Sequence, residues 1–326
     1  MHDLVHQTVG VNNIRSHYVA CGEGPLVILV HGFPESWYSW RYQLSAIADA
    51  GFRAVAIDVR GYGRSSKPTA VADYSMMQNV GDIVALIDAL GDAVGDGKAT
   101  LIGHDWGAPI VWNTALLRGD VVRGVAGLSV PFSAPGAGAT RPTDGMRAMA
   151  GEANEFYIEY FQSVGRAEAE IEQNVRDWLL GFYHCASADI KDGPNISLVE
   201  RGKQLRDKLV LPETMPEWLT TEDLDHYTSE FEYSGFFGPL CRYRNVDRDW
   251  AELKAYVGKA ITVPSLFIGG SRDGPTMWGG AAIAQFEKTL PALTKSVIIE
   301  GSGHWIQQEY ATATNAELLE FLTAIH

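Results

Sequence analysis

Cysteine is scarce in this chain of 326 residues: there are three, Cys21, Cys185 and Cys241, an odd number with no C-x-x-C pair. Neither a disulfide framework nor a zinc site is suggested by them, and they read as reduced thiols of a cytoplasmic protein. Long apolar runs are also missing, none approaching the roughly 18 to 20 residues of a membrane span. The first thirteen residues lack the charged start and apolar core of a signal peptide. The sequon Asn195-Ile196-Ser197 is therefore expected to be accidental. Basic charge is in short supply, with 26 Lys and Arg against 40 Asp and Glu and a formal net charge of -14. The densest basic stretch, Arg242 to Arg248, is interrupted by Asp247 and followed by Asp249. Phosphate backbones are repelled by such a balance, so nucleic acid is not an expected partner, whereas a neutral small molecule is.

What is present is a globular composition, 46% hydrophobic and 20% charged, on a chain long enough for one catalytic domain with an insertion. The apolar runs Pro25 to Val30, Phe52 to Ile57, Ala99 to Ile102 and Val122 to Val130 read as buried strands. Between them Trp37 to Ala50, Met76 to Leu90 and Ala108 to Leu117 carry apolar residues at helical spacing. The rhythm returns with strands at Thr262 to Ile268 and Ser296 to Ile299 and helices at Met277 to Leu290 and Thr312 to Ile325. Such alternation predicts an α/β fold, a parallel sheet covered by helices. Residues 133–249 break it with helices, loops and aromatics, including a helix start at Thr220 or Thr221 and a stop at Gly235. The expected organisation is a core first part (1–132), a helical lid (133–249) over the carboxyl ends of the strands, and a core second part (250–326).

The sharpest local signal is Gly103-His104-Asp105-Trp106-Gly107, directly after a strand and before a helix. That is the setting of a nucleophile elbow, G-x-S-x-G, with aspartate in the serine position. A carboxylate attacking an acyl carbon would give an anhydride, a poor intermediate; attack on a saturated carbon bearing a leaving group gives an ester that water can cleave. The expected substrate is an epoxide or an alkyl halide. His31-Gly32-Phe33-Pro34 follows another strand. A loop there would supply an oxyanion-hole N–H from Phe33, beside that of Trp106, although the same residues suit a plain strand-ending turn. Asp273 and Gly303-His304-Trp305 each end a later strand. A lone His beside Trp is more often structural, but Asp105, Asp273 and His304 stand in the chain order nucleophile, acid, base. His31 and His104 look loop-shaping, and His184 and His226 have no evident partner.

The stretches His31 to Gln43, Asp58 to Ser66, GHDWG at 103–107 and Gly303 to Trp305 make the chain resemble the soluble epoxide hydrolases, both the mammalian hydrolase domain and bacterial, mycobacterial-type members. The resemblance implies an α/β-hydrolase core, a mostly parallel eight-stranded sheet flanked by helices, with an inserted helical cap. It also implies two cap tyrosines that hold and protonate the epoxide oxygen, matched here by Tyr160 in Glu159-Tyr160-Phe161-Gln162 and by Tyr243 in the segment Ser234 to Asn245. No metal or organic cofactor is implied, and a homodimer stays open beside a monomer. A dehalogenase shares the aspartate and the H-G-F-P loop; Phe33 stands where haloalkane dehalogenases commonly carry a polar or indole donor, and the tyrosines would be idle there. A ligand receptor of the same fold would not need the intact triad. Gly274-Pro275 replaces the bulkier residues that many relatives carry after the acid.

Overall fold

Strands assemble where β-branched and small apolar residues run together. In the computed structural model, which describes residues 3–91, 95–136, 140–190 and 195–326, they are β1 (Val5–Val11), β2 (Ile14–Cys21), β3 (Leu26–Val30), β4 (Arg53–Ile57), β5 (Ala99–His104), β6 (Val122–Leu128), β7 (Asn154–Phe156), β8 (Leu198–Glu200), β9 (Ser265–Gly270) and β10 (Leu293–Ile299). Eight form one sheet in the order β1-β2-β4-β3-β5-β6-β9-β10, parallel from β4 to β10, while β1 and β2 pair antiparallel. The mostly parallel eight-stranded α/β core is thus as expected. Leu26, Ile28 and Val30 of β3 bury into one apolar cluster, Val27 and Leu29 into another on the opposite face. Each such side chain contributes roughly 1.5–3 kcal/mol, and a strand sandwiched this way reads as a continuous apolar run.

Register decides what meets at the site. Val30 lies opposite Gly103, His104 opposite Leu128, Leu128 opposite Ile268, and Ile299 opposite Gly270. The loops after β3, β5, β6, β9 and β10 consequently leave the sheet at one edge, the carboxyl end where open parallel sheets bind ligands.

Several elements differ from expectation. The N-terminal hairpin β1–β2 turns at Asn12 and Asn13, both at positive φ (42° and 63°), the two-residue loop chemistry that Asn supports. Met277 to Leu290 is three short helices, Gly274–Trp278, Gly280–Ile283 and Phe286–Thr289; Gly279 breaks the run, packed so closely that a Cβ there would fall 2.2 Å from Pro131. The region between β6 and β9 carries the small antiparallel pair β7–β8 besides its helices. Its best-capped helix, Thr221–Ser234, has the expected ends: the Thr220 hydroxyl accepts from the Asp223 N–H and Gly235 stops it at φ 69°.

Candidate active site

Asp105 sits at the tip of β5 with φ 48°, a conformation rare for a non-glycine residue. Its flanking glycines are sterically required. A Cβ on Gly103 would lie 2.3 Å from the Gly107 carbonyl oxygen, and one on Gly107 would lie 1.9 Å from that of Val30. The turn therefore thrusts Asp105 out of the sheet before the helix Gly107–Leu117 begins. Gly32 faces it so closely that a Cβ would meet Asp105 Oδ1 at 2.3 Å. That proximity lets the Phe33 N–H donate to Asp105 Oδ1 at 2.8 Å. The Trp106 amide, on the next residue, is the other expected donor.

The second carboxylate oxygen faces the base. His304 Nε2 lies 3.4 Å from Asp105 Oδ2, and its Nδ1 lies 2.8 Å from Asp273 Oδ1. Asp273 Oδ2 accepts from the hydroxyls of Ser129 and Thr276, each at 2.7 Å, and from the Thr276 N–H at 3.2 Å. Burial opposes ionisation of Asp273, yet His304 and these donors hold its carboxyl below the ordinary range. Burial likewise pulls His304 down, but Asp273 and Asp105 together raise it well above an ordinary histidine. Its two neighbours thus favour the protonated form of His304.

His104 and His31 have the loop-holding roles expected of them. His104 bridges the His304 carbonyl oxygen (2.7 Å) and Glu35 (2.8 Å), while the Val59 N–H donates to His31 Nε2 at 3.0 Å. Glu35, which carries no signal of its own in the sequence, is a buried hub. It accepts from the Gly32 N–H at 3.1 Å, from Gln307 at 2.8 Å and from Gln308 at 3.2 Å. Against the desolvation that would raise it, His104 and the Gly32 N–H bring its pKa to about 2. His226, without an evident partner in the sequence, pairs with Glu230 at 3.3 Å and stacks on Tyr38 at 4.0 Å.

The tyrosines require a correction. Tyr243 lines the cavity over Asp105, its ring 5.2 Å from Phe33 and 5.1 Å from Trp106. Tyr160 does not reach that cavity. Its hydroxyl donates to Glu170, and Arg166 covers its ring at 3.9 Å. A buried phenol takes the partner at hand, and Glu170, also bonded by Trp178 (3.0 Å), Leu205 (3.1 Å) and Arg206 (2.9 Å), is fixed beside it. The second tyrosine at the site is Tyr157, three residues earlier, with its ring 5.8 Å from Tyr243. Among the described residues its hydroxyl has no hydrogen-bond partner. Burial, and then Asp105, raise the Tyr157 hydroxyl far above an ordinary phenol; burial, Tyr157 and Asp105 do the same to Tyr243. Sequence reasoning also missed Arg242, buried, paired with Asp249 and stacked over Trp106 at 5.1 Å.

A carboxylate held on one oxygen, a buried His–Asp pair at the other and two un-ionised phenols over them can alkylate the carboxylate and then hydrolyse the ester. Comparison with known proteins points the same way. Residues 25–170 match the model of the alpha/beta hydrolase fold family. Epoxide hydrolase B of Mycobacterium tuberculosis is 42% identical, the match covering 98% of each chain. The chain belongs to the epoxide hydrolase family. A solved epoxide hydrolase from an endophytic Streptomyces superposes with a TM-score of 0.94 at 51% identity, covering 99% of this chain and 96% of that one. Mouse bifunctional epoxide hydrolase 2 is 37% identical over 98% of this chain and 56% of its own length. Among the described residues no group of three or more His, Cys, Asp or Glu side chains is arranged to hold a metal ion, and no helix is long and apolar enough to cross a membrane.

Proposed function

We propose that this epoxide hydrolase family member converts an epoxide and water to a vicinal diol through a covalent ester on Asp105. The observation that carries the reading is the two-sided grip on one carboxylate, Phe33 N–H on Oδ1 and His304 facing Oδ2, beneath Tyr157 and Tyr243. Oδ2 attacks a ring carbon from behind, the carbon–oxygen bond opens, and the tyrosines hold and protonate the departing alkoxide. Their raised pKa values keep both phenols protonated in the resting enzyme. Oδ1 becomes the ester carbonyl oxygen and stays on Phe33.

Esterification removes the negative charge of Asp105 and with it part of what holds the proton on His304. Neutral His304, its proton passed back to the tyrosinate left by ring opening and its ring oriented by Asp273, then takes a proton from the water that attacks the ester carbonyl. The oxyanion forms on the N–H groups of Phe33 and Trp106 and collapses, breaking the ester carbon–oxygen bond. The diol leaves with the proton of the new carboxyl, and the resting pair of ionised Asp105 and protonated His304 returns. Residues 133–249 act as the lid that excludes bulk water. The three unpaired cysteines and the acidic balance support a cytoplasmic enzyme that does not bind nucleic acid. The test is to incubate purified protein with styrene oxide and with alkyl halides and to score diol and halide; halide release without diol would refute the assignment.

A further inference from the structure

Two cavities meet at Asp105. Both have Asp105, Tyr157, Pro275 and Trp278 in their walls, and beyond these they differ in size and chemistry. The larger, about 730 Å³, is lined chiefly by apolar side chains, Val130, Phe132, Met146, Phe156 and Ile158 among them, with Ser133 one of its few polar residues. The smaller, about 260 Å³, adds Ser187, Ser197 and Arg272, beside Asp273 and His304, to apolar side chains such as Phe182 and Ile196. Trp278 stands in the walls of both, its ring edge-on to Phe156 at 6.0 Å and so close to Gly274 that a Cβ there would come within 3.3 Å. An epoxide opened by a carboxylate common to both cavities has room for one substituent in each. A terminal epoxide fills only one of them.

Arg272 gives the smaller cavity its character. Its guanidinium donates to the carbonyl oxygens of Ala188 at 2.6 Å and Ile190 at 3.4 Å, which leaves three of its five N–H donors. Among the described residues it has no carboxylate partner. With His304 protonated, the charges of Asp105, Asp273, His304 and Arg272 cancel. An anionic substituent in the smaller cavity then meets no net repulsion, and without Arg272 it would.

We propose that the preferred substrate is an internal epoxide with a bulky apolar substituent on one ring carbon and a short substituent ending in a carboxylate on the other, Arg272 receiving the carboxylate. This rests on the epoxide hydrolase reading above, and it departs from the neutral substrate that net charge alone suggests. The seating also fixes which ring carbon faces Asp105, because the two substituents cannot exchange cavities.

The test compares four epoxides on the full-length enzyme: one joined to a carboxylate by a single methylene and to a decyl chain, its methyl ester, an isomer with the carboxylate seven methylenes away, and styrene oxide. Wild-type kcat/KM should favour the first over the ester and the isomer by about tenfold or more, in line with a charge-assisted hydrogen bond. Arg272→Gln should lower the acid-to-ester ratio of kcat/KM by about 10- to 100-fold, chiefly through KM for the acid, and Arg272→Lys should recover part of it. A purely structural Arg272, holding the carbonyls of Ala188 and Ile190, would reduce acid and ester alike; an unchanged ratio overturns the proposal. Turnover of styrene oxide with no preference for the short-armed acid removes this inference alone, whereas no diol from any of the four removes the reaction assignment as well.

Discussion

Removing the hydroxyls of Tyr157 and Tyr243 should stop alkylation, and removing that of Tyr160 should not. Each Tyr→Phe change at the first two keeps the ring in place, that of Tyr243 among Phe33, Trp106 and Phe161 and that of Tyr157 against Phe156, Phe161 and Tyr243, and deletes one donor to the developing alkoxide. By analogy with a lost oxyanion-hole donor the cost is about 2.7–4 kcal/mol in the alkylation barrier, roughly a 10²- to 10³-fold slower step. Either single variant retains one acid. The double variant has none and should lose more than the sum of the single losses, because both hydroxyls act on one oxygen. Tyr160→Phe instead withdraws a donor from Glu170, which keeps Trp178, Leu205 and Arg206. Its cost should be in stability, about 1–3 kcal/mol, with the alkylation rate held. The assay is pre-steady-state tryptophan fluorescence on a single epoxide, reporting through Trp106 5.1 Å from Tyr243, beside thermal unfolding of each variant. Slow alkylation in Tyr160→Phe with a normal rate in Tyr157→Phe would refute the exchange of roles. Full epoxide activity in the double variant would remove the phenols from the mechanism.

Three further outcomes follow from the same geometry. His304→Gln should still alkylate and then accumulate protein plus epoxide by intact mass, with turnover falling ~10²- to 10⁴-fold for the lost base; a folded variant that never gains the adduct contradicts the separation of the two half-reactions. A single turnover in oxygen-18 water should label Asp105 and leave the diol unlabelled, since water attacks the ester carbonyl; label in the first diol means direct hydration. Glu35, held at about 2 in the folded protein against an ordinary value of about 4.3, contributes stability that is full above the unfolded pKa. That contribution, of order 3 kcal/mol, is lost as pH falls from about 4.5 towards 2. Urea midpoints against pH should therefore fall less steeply in Glu35→Gln over that window, and parallel curves would show that Glu35 titrates normally.

The core and the triad were legible because their signals are local and steric. Glycines on both sides of Asp105 are demanded by carbonyl oxygens 1.9 and 2.3 Å from where a Cβ would stand, so the elbow is written in adjacent letters. Buried strands such as β3 announce themselves as unbroken apolar runs. The lid was less legible. Tyr157 and Tyr160 both stand in one short buried stretch, and only the position of Glu170, ten residues on, decides which hydroxyl is satisfied inside the lid and which faces Asp105. Glu35 and Ser129 escaped notice because partners of theirs stand far along the chain, Gln307 and Gln308 for one and Asp273 for the other. The β1–β2 hairpin had a readable signal, two asparagines between Val11 and Ile14, that periodicity alone did not weigh.

The lid helix Val175–Ala186 is tied to both catalytic loops. The Ala186 carbonyl accepts from the His304 N–H at 3.0 Å, the Tyr183 carbonyl from the Trp305 indole at 2.8 Å, and the Tyr183 hydroxyl donates to the Pro34 carbonyl at 2.5 Å. Lifting that helix would drag the base and the Phe33 loop apart, so it cannot serve as a door. It is part of the frame that holds the base and the Phe33 loop together, which leaves the two cavities beside Asp105 as the expected route for epoxide and diol. Turnover then requires no large opening of this enzyme, and stiffening the anchored helix should raise its unfolding temperature without slowing product release.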